Sequence, residues 1–351
     1  MAHRIRQLNS EVLKTMWNKL TLTGIIILNY VSLFGQDIDI QPVEILKGHL
    51  HKINCICYNK TGDLLASCGW DNTVRLWDMN TFTEKYVMQG HEDNVWGVRF
   101  SPDERFLISG GMDASMIIWD VQTGKPVKRM TIEPKHVTKK GIYPEIEYIL
   151  PNSISPGVFN MEGNLLFTGS IDGLIRIFDM NRFEFIDTLY GHKGAVSNFA
   201  ISSDGSLLAT GSWENELFIW DLKSYEILHK LKAKNHSAYS LRFINNDKYL
   251  FGAGGPSINI WDIESETIIR RFEGQRGMQQ CTFSPDGKYL ASCAEDHTVW
   301  LRDYNTGEVL WKYRGPKMEI STLAFSPDGK YLAVGTPESD ILIWDMKEIS
   351  R

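Results

Sequence analysis

A Trp-Asp pair, or a degraded form of it, recurs along this chain at a nearly fixed distance. It stands at Trp77-Asp78, Trp119-Asp120, Phe178-Asp179, Trp220-Asp221, Trp261-Asp262, Arg302-Asp303 and Trp344-Asp345. The successive intervals are 42, 59, 42, 41, 41 and 42 residues, so the long one is a normal repeat carrying about 17 extra residues. Gly-His precedes three of these endings, at Gly48-His49, Gly90-His91 and Gly191-His192, each histidine 28 residues ahead of its tryptophan. Between them runs a turn of the Ser-Pro-Asp-Gly kind, at Ser101-Pro102-Asp103, Ser202–Gly205, Ser284–Gly287 and Ser326–Gly329. A period of this size marks a repeat architecture, in which units bury their apolar faces against one another.

Within the repeats, short runs such as Val95–Phe100 and Ser115–Trp119 alternate apolar and polar residues between Gly, Pro, Asn and Asp. Such runs read as antiparallel strands joined in hairpins. One four-stranded unit cannot cover both of its faces, and radial packing of several units does so while leaving only short edges.

Taken in phase, these motifs resemble the WD-repeat β-propeller family over about residues 40–346. The fold expected is all-β, a seven-bladed β-propeller. An outer-strand pattern precedes every repeat: Val43–Lys47, Glu84–Met88, Pro126–Met130, Glu184–Leu189, Glu226–Leu231, Thr267–Phe272 and Glu308–Tyr313. Only Met346–Arg351 follow Trp344-Asp345, so the seventh blade has three strands of its own and the N-terminal strand is expected to complete it, closing the ring.

The resemblance also implies four braced side chains per blade: the histidine, a Ser or Thr, a turn Asp and the terminal Trp. Blade one offers His49, Ser67, Asp71 and Trp77, and blade two His91, Ser109, Asp113 and Trp119. Blade four offers His192, Thr210 and Trp220, with Glu214 where Asp is expected. Blade three keeps Thr168 and Asp172 but has Leu150 and Phe178; blade six keeps Ser292 and Asp296 but ends in Arg302. These histidines are expected to be structural, with no metal and no cofactor.

Composition narrows the class. The chain has 351 residues, 43% hydrophobic and 23% charged, with a net charge of −6. That balance argues against a dedicated nucleic-acid binder, which needs a basic face for phosphates. Five cysteines, Cys55, Cys57, Cys68, Cys281 and Cys293, do not make a disulfide framework and read as small buried residues, with a redox or metal role as the alternative.

Residues 1–36 stand apart from the domain at 37–351. Arg4, Arg6, Lys14 and Lys19 precede an apolar run, Leu20–Phe34, that ends in Gly35-Gln36. A basic segment, a short apolar segment and a small residue describe a secretory signal, here starting at residue 1 or at Met16. The run is too short and polar for a comfortable membrane span. The expectation is export or a periplasmic location after cleavage; the alternative is an N-terminal extension on a cytoplasmic protein. Without this segment 33 basic and 42 acidic residues remain, four basic and one acidic having been removed.

No phosphate-binding loop or nucleophile elbow occurs. Gly252–Gly255 is glycine-rich but reads as a turn between strands. A binding surface is better supported. The resemblance implies that loops entering the innermost strands, and those before the third strands, share one face around a central channel. Trp70, Trp96, Met112, Ile171, Trp213 and Tyr239 occupy those positions. Exposed aromatic residues are enriched at binding hot spots, and the alternative is a local lid of packed loops. The insertion at about 131–148 belongs on the same face, as a functional loop or a decoration. The reading is a non-catalytic scaffold for a protein or peptide, a monomer within a complex that binds no nucleic acid. The rival reading is an enzyme or small-ligand binder using the central funnel.

Overall fold

The computed structural model describes residues 40–132, 135–139, 146–150, 154–232, 240–315 and 319–351. The tip of the insertion, Tyr239 and the whole 1–36 segment lie outside them. The strands form seven blades arranged as a propeller. Blade one runs through Ile53–Tyr58, Leu64–Gly69, Thr73–Asp78 and Thr83–Gln89, and the later blades repeat that order.

The third strand shows why the repeat folds this way. In Thr73–Asp78, successive side chains point to opposite faces of the blade. Val74 and Leu76 pack towards blade two, whereas Trp77 packs towards blade seven. Among the described residues the buried side chains fall into seven clusters, one between each pair of neighbouring blades. The recurrent Trp always joins the cluster shared with the preceding blade: Trp119 with blade one, Trp220 with blade three, Trp261 with blade four, Trp344 with blade six. Where present, it anchors the interface with the preceding blade, which explains its fixed interval.

The turns follow from their residues. In Ser202–Gly205, Ser284–Gly287 and Ser326–Gly329 the fourth residue donates its N–H to the serine carbonyl. The glycines there have φ between 71° and 75°, a region open to glycine without strain. Blade two places Glu104 at the same point, with φ 60°.

The N-terminal strand Glu44–Lys47 lies antiparallel to Asp340–Asp345, with Ile45 opposite Leu342, as the fourth strand of the seventh sheet. Trp344 donates its indole N–H to the Ile40 carbonyl at 3.0 Å. Blades seven and one are stitched by Ser321 Oγ to Ile53 O and by Ile56 N to Thr322 Oγ1, each 3.0 Å.

Two features differ from the expected pattern. Blades five and six share one six-stranded sheet, because Gly255 pairs with Met278 across the gap between them. Gly252–Gly255 falls within the extended segment Tyr249–Asp262. That segment doubles back as a hairpin, since Ile263 N reaches Lys248 O at 3.2 Å. The insertion contains a further antiparallel pair, Lys135–Lys139 with Ile146–Leu150, so it extends two residues past 148.

Leu46 is 2% exposed in the cluster between blades seven and one, whereas its neighbour Ile45 is 43% exposed. Leu46→Ala is expected to cost about 2–5 kcal/mol in urea unfolding and Ile45→Ala less than about 0.5 kcal/mol. Equal losses would disconnect this strand from the core.

Candidate functional site

The braces show how the blades hold their ends. In blade one Ser67 Oγ sits 2.7 Å from His49 Nε2 and receives the Trp77 indole N–H at 2.8 Å. His49 Nδ1 lies 2.8 Å from Asp71, which also accepts Leu50 N. Blade two repeats this with Ser109, His91, Trp119 and Asp113 at 2.7, 2.8 and 3.0 Å. Burial pushes both carboxyl groups up, but hydrogen bonds from the histidine, the next backbone N–H and Thr73 or Ser115 outweigh it. Asp71 and Asp113 are therefore held well below the usual carboxylate range.

Blade four departs from the expectation. Thr210 Oγ1 bridges His192 Nε2 and Trp220 Nε1 at 2.7 and 2.8 Å. Glu214 is exposed, and the carboxylate beside His192 Nδ1 belongs to Glu216, at 3.5 Å. Glu216 accepts Lys193 N at 2.9 Å, as Asp71 accepts Leu50 N. From the strand the longer glutamate reproduces aspartate's hold on the backbone N–H, but it leaves His192 Nδ1 without a hydrogen bond among the described residues. Although His192 and Glu216 lie within ion-pair distance, burial dominates over that carboxylate and lowers His192 to about 4.

Other blades use different donors. In blade three Arg176 takes the place of histidine, reaching Asp172 and Ser170 at 2.6 Å each. In blade six Ser292 donates to Gln275 Oε1 at 2.6 Å, and the Gln275 amide donates to Thr298. Sequence reading missed Gln275. Its signal is Gly274-Gln275, 17 residues before Ser292, where Gly48-His49 stands 18 before Ser67. Arg302, in the Trp position, donates to the Glu273 and Gly307 carbonyls.

Of the expected binding positions, Trp96, Ile171 and Trp213 lie along one cavity. A cavity of about 360 Å³ is walled by the first strands of blades one, two, four, six and seven together with Ser155-Pro156 of blade three. Trp96, Ile171 and Trp213 line it together. The Trp96 and Trp213 rings meet edge to face, 6.5 Å between centroids, while 38% and 47% exposed. Trp96 stands inside the strand Val95–Phe100 and not on a loop, because a bulge beside it turns the ring outward. Trp70, Met112 and Trp213 hold equivalent places, each donating its N–H to the carbonyl of the residue immediately before its blade's first strand, Lys52, Asn94 and Ala195. Trp70, 49% exposed, carries the Lys52 ammonium over its ring at 5.6 Å and does not line the cavity. Lys52 in turn pairs with Glu319. Met112 is half-buried against Asn94. Below the rim the wall is polar, with Asn54, Asn198, Gln279 and Gln280. Arg99 is the one charged side chain lining it among the described residues.

A propeller with these braces defines the class. A family model described as "WD domain, G-beta repeat" matches residues 40–78, 82–120, 150–179 and 183–221. Another, "Anaphase-promoting complex subunit 4 WD40 domain", matches 281–350. The chain belongs to the WD-repeat family. It is 26% identical to "Nuclear distribution protein nudF" of Aspergillus niger over 271 residues, 76% of this chain and 53% of that protein. It is 30% identical to "Pre-mRNA-processing factor 19" of Bos taurus over 261 residues, 74% and 49% of the two. With "Target of rapamycin complex subunit wat1" of Schizosaccharomyces pombe it shares 24% over 245 residues, 67% and 73%. The chain thus spans about half the length of the first two. These printed names lend the exported reading no support, and residues 1–36, on which it rests, lie outside the described residues. No helix among the described residues is long and apolar enough to cross a membrane.

Two outcomes test the braces. Ser67→Ala strands two buried nitrogens, His49 Nε2 and Trp77 Nε1, and is expected to cost about 2–4 kcal/mol of unfolding free energy. His192 titrates at about 4 in the folded chain against 6.5 ordinarily, so the unfolded chain takes up its proton first as pH falls. Its contribution, at most about 3 kcal/mol, is complete above pH 6.5 and lost between 6.5 and 4. His192→Gln is expected to flatten the urea midpoint across that window, and an unchanged slope would reject the assignment.

Proposed function

We propose that this chain is a non-catalytic scaffold that grips a segment of a protein partner at the channel mouth. The observation that carries the reading is the Trp96–Trp213 pair. Two large rings stay partly open to solvent over a cavity. Such rings lose little conformational freedom on binding and concentrate affinity. Ile171 and the half-buried Met112 extend the apolar arc across blades two to four, and Trp70 continues it on blade one. The segment received has an apolar anchor for the two indoles and a carboxylate for Arg99, with polar backbone facing the Asn and Gln side chains beneath. Relatives named as a complex subunit and as a "Serine-threonine kinase receptor-associated protein" of Gallus gallus support a role inside protein assemblies. The brace residues, His49, Ser67, Asp71 and Trp77 with their counterparts, keep the rim rigid and take no part in chemistry.

The test is affinity capture with the full chain, wild type against Trp96→Ala/Trp213→Ala. Met161→Ala, on an exposed turn at the opposite end of the strands, serves as control. The double variant is expected to retain its unfolding midpoint and to lose specific partners by roughly tenfold or more, as hot-spot truncation does. Unchanged capture by the double variant would overturn the assignment of this face.

A further inference from the structure

Blade one differs from its siblings at one pair of positions behind the channel wall. Cys55, on its first strand, lies directly opposite Cys68 on its second. The position of Cys68 is Gly110 in blade two and Gly169 in blade three. A Cβ at those glycines would come within 2.4 and 2.1 Å of a carbonyl oxygen of the following blade. Blade one instead fits a thiol there, with Cys68 Sγ 3.5 Å from Val95 O and Cys55 Sγ 3.8 Å from Val98 O. Both sulfurs thus point to the same side, towards blade two. Opposed residues in an antiparallel pair have Cα atoms about 4.5–5.5 Å apart, within the span of a disulfide. Cys55 also lines the central cavity, so a small solute can reach it, whereas Cys68 is fully buried.

The other cysteines provide the contrast. Cys281 lies opposite Ser292, and Cys293 opposite Gln280, so blade six has no cysteine facing a cysteine. Cys57 faces Ala66.

We propose that Cys55 and Cys68 are a hydroperoxide-responsive thiol pair that closes to a cross-strand disulfide in blade one. The Cys55 thiolate attacks one peroxide oxygen and the O–O bond breaks. The departing oxygen takes up a proton as water or an alcohol, leaving Cys55 as a sulfenic acid. The Cys68 sulfur then attacks the Cys55 sulfur, the S–O bond breaks, and hydroxide leaves with the Cys68 proton as water. Two thiols are oxidised by two electrons, and the peroxide accepts both. A hydrogen bond with Cys68, opposed by burial and helped by Val98 and by the Arg99 charge, brings Cys55 down to about 7. Burial drives Cys57, Cys281 and Cys293 the other way. Cys55 is therefore the one of these four that holds substantial thiolate at neutral pH.

The experiment uses the reduced full chain, exposed to stoichiometric hydrogen peroxide, alkylated and mapped by mass spectrometry. Expected is a Cys55–Cys68 link, with loss of two hydrogen masses reversed by dithiothreitol, while Cys281 and Cys293 stay alkylatable once unfolded. Cys68→Ala is expected to leave Cys55 as a sulfenic acid that dimedone traps, and Cys57→Ser to change nothing. A Cys55–Cys57 link, or oxidation of Cys55 no faster than of Cys281, would overturn the proposal. The wild-type map decides the matter alone if Cys68→Ala does not fold.

Discussion

Every blade here has two apolar faces and no means of covering either by itself. The structure depends on that constraint. Strands such as Thr73–Asp78 and Asp340–Asp345 bury alternate side chains against two different neighbours. An open arc would leave one blade face bare at each end, several hundred Å² of apolar surface of the kind that drives association. The arrangement avoids this where Leu46, Ile341 and Ile343 meet Ile53, Leu65 and Trp77. Pairing of Glu44–Lys47 with the final strand also satisfies backbone groups that a three-stranded blade would leave as an edge.

On this packing rests a second layer, the hydroxyl shared by an imidazole and an indole. It is a polar cluster in a dry place, and its value lies in completeness. Ser67, Ser109 and Thr210 complete it with histidine and tryptophan. In blade six Gln275 takes the imidazole's place on the Ser292 hydroxyl, and in blade three Arg176 anchors the Asp172 turn directly. Blade seven has no such hydroxyl, and there the Trp344 indole is spent on the Ile40 carbonyl, tying down the entry to the N-terminal strand. Trp261 and Trp311 have no such partner among the described residues and are held by packing. The motif therefore varies freely in chemistry so long as the indole or its substitute fills the gap to the preceding blade.

What could be read from the sequence follows this division. Blade number, strand order and the place of the tryptophans were legible because they are set by period and alternation, both visible in one dimension. Gln275 and Glu216 were not, because a brace is defined by where an oxygen or nitrogen ends up. A longer side chain from a shifted position can deliver the same atom. The merged sheet of blades five and six was equally hidden, since Gly255 and Met278 become partners only when two hairpins lie side by side. Trp70, Trp96 and Trp213 stood out as tryptophans without a repeat position, but only the coordinates separate Trp70, stacked under Lys52, from the pair at the cavity.

The rim and the thiol pair meet on one strand. Val95 and Val98, whose carbonyls receive the Cys68 and Cys55 thiols, flank Trp96 on either side. A bulge already interrupts the ladder between Val95 and Gly97, so this stretch is held less by its own sheet than the rest of blade two. Gly97 adds no side chain to stiffen it, and a Cβ there would come within 3.1 Å of Pro156 of the next blade. Trp96 is thus the half of the aromatic pair whose backbone leans on blade one. Trp213, on the turn after the second strand of blade four, is anchored through Ala195 within its own blade. The distance between the two rings is set across two blade interfaces by close packing, which is why the braces, remote from the cavity, matter to its shape.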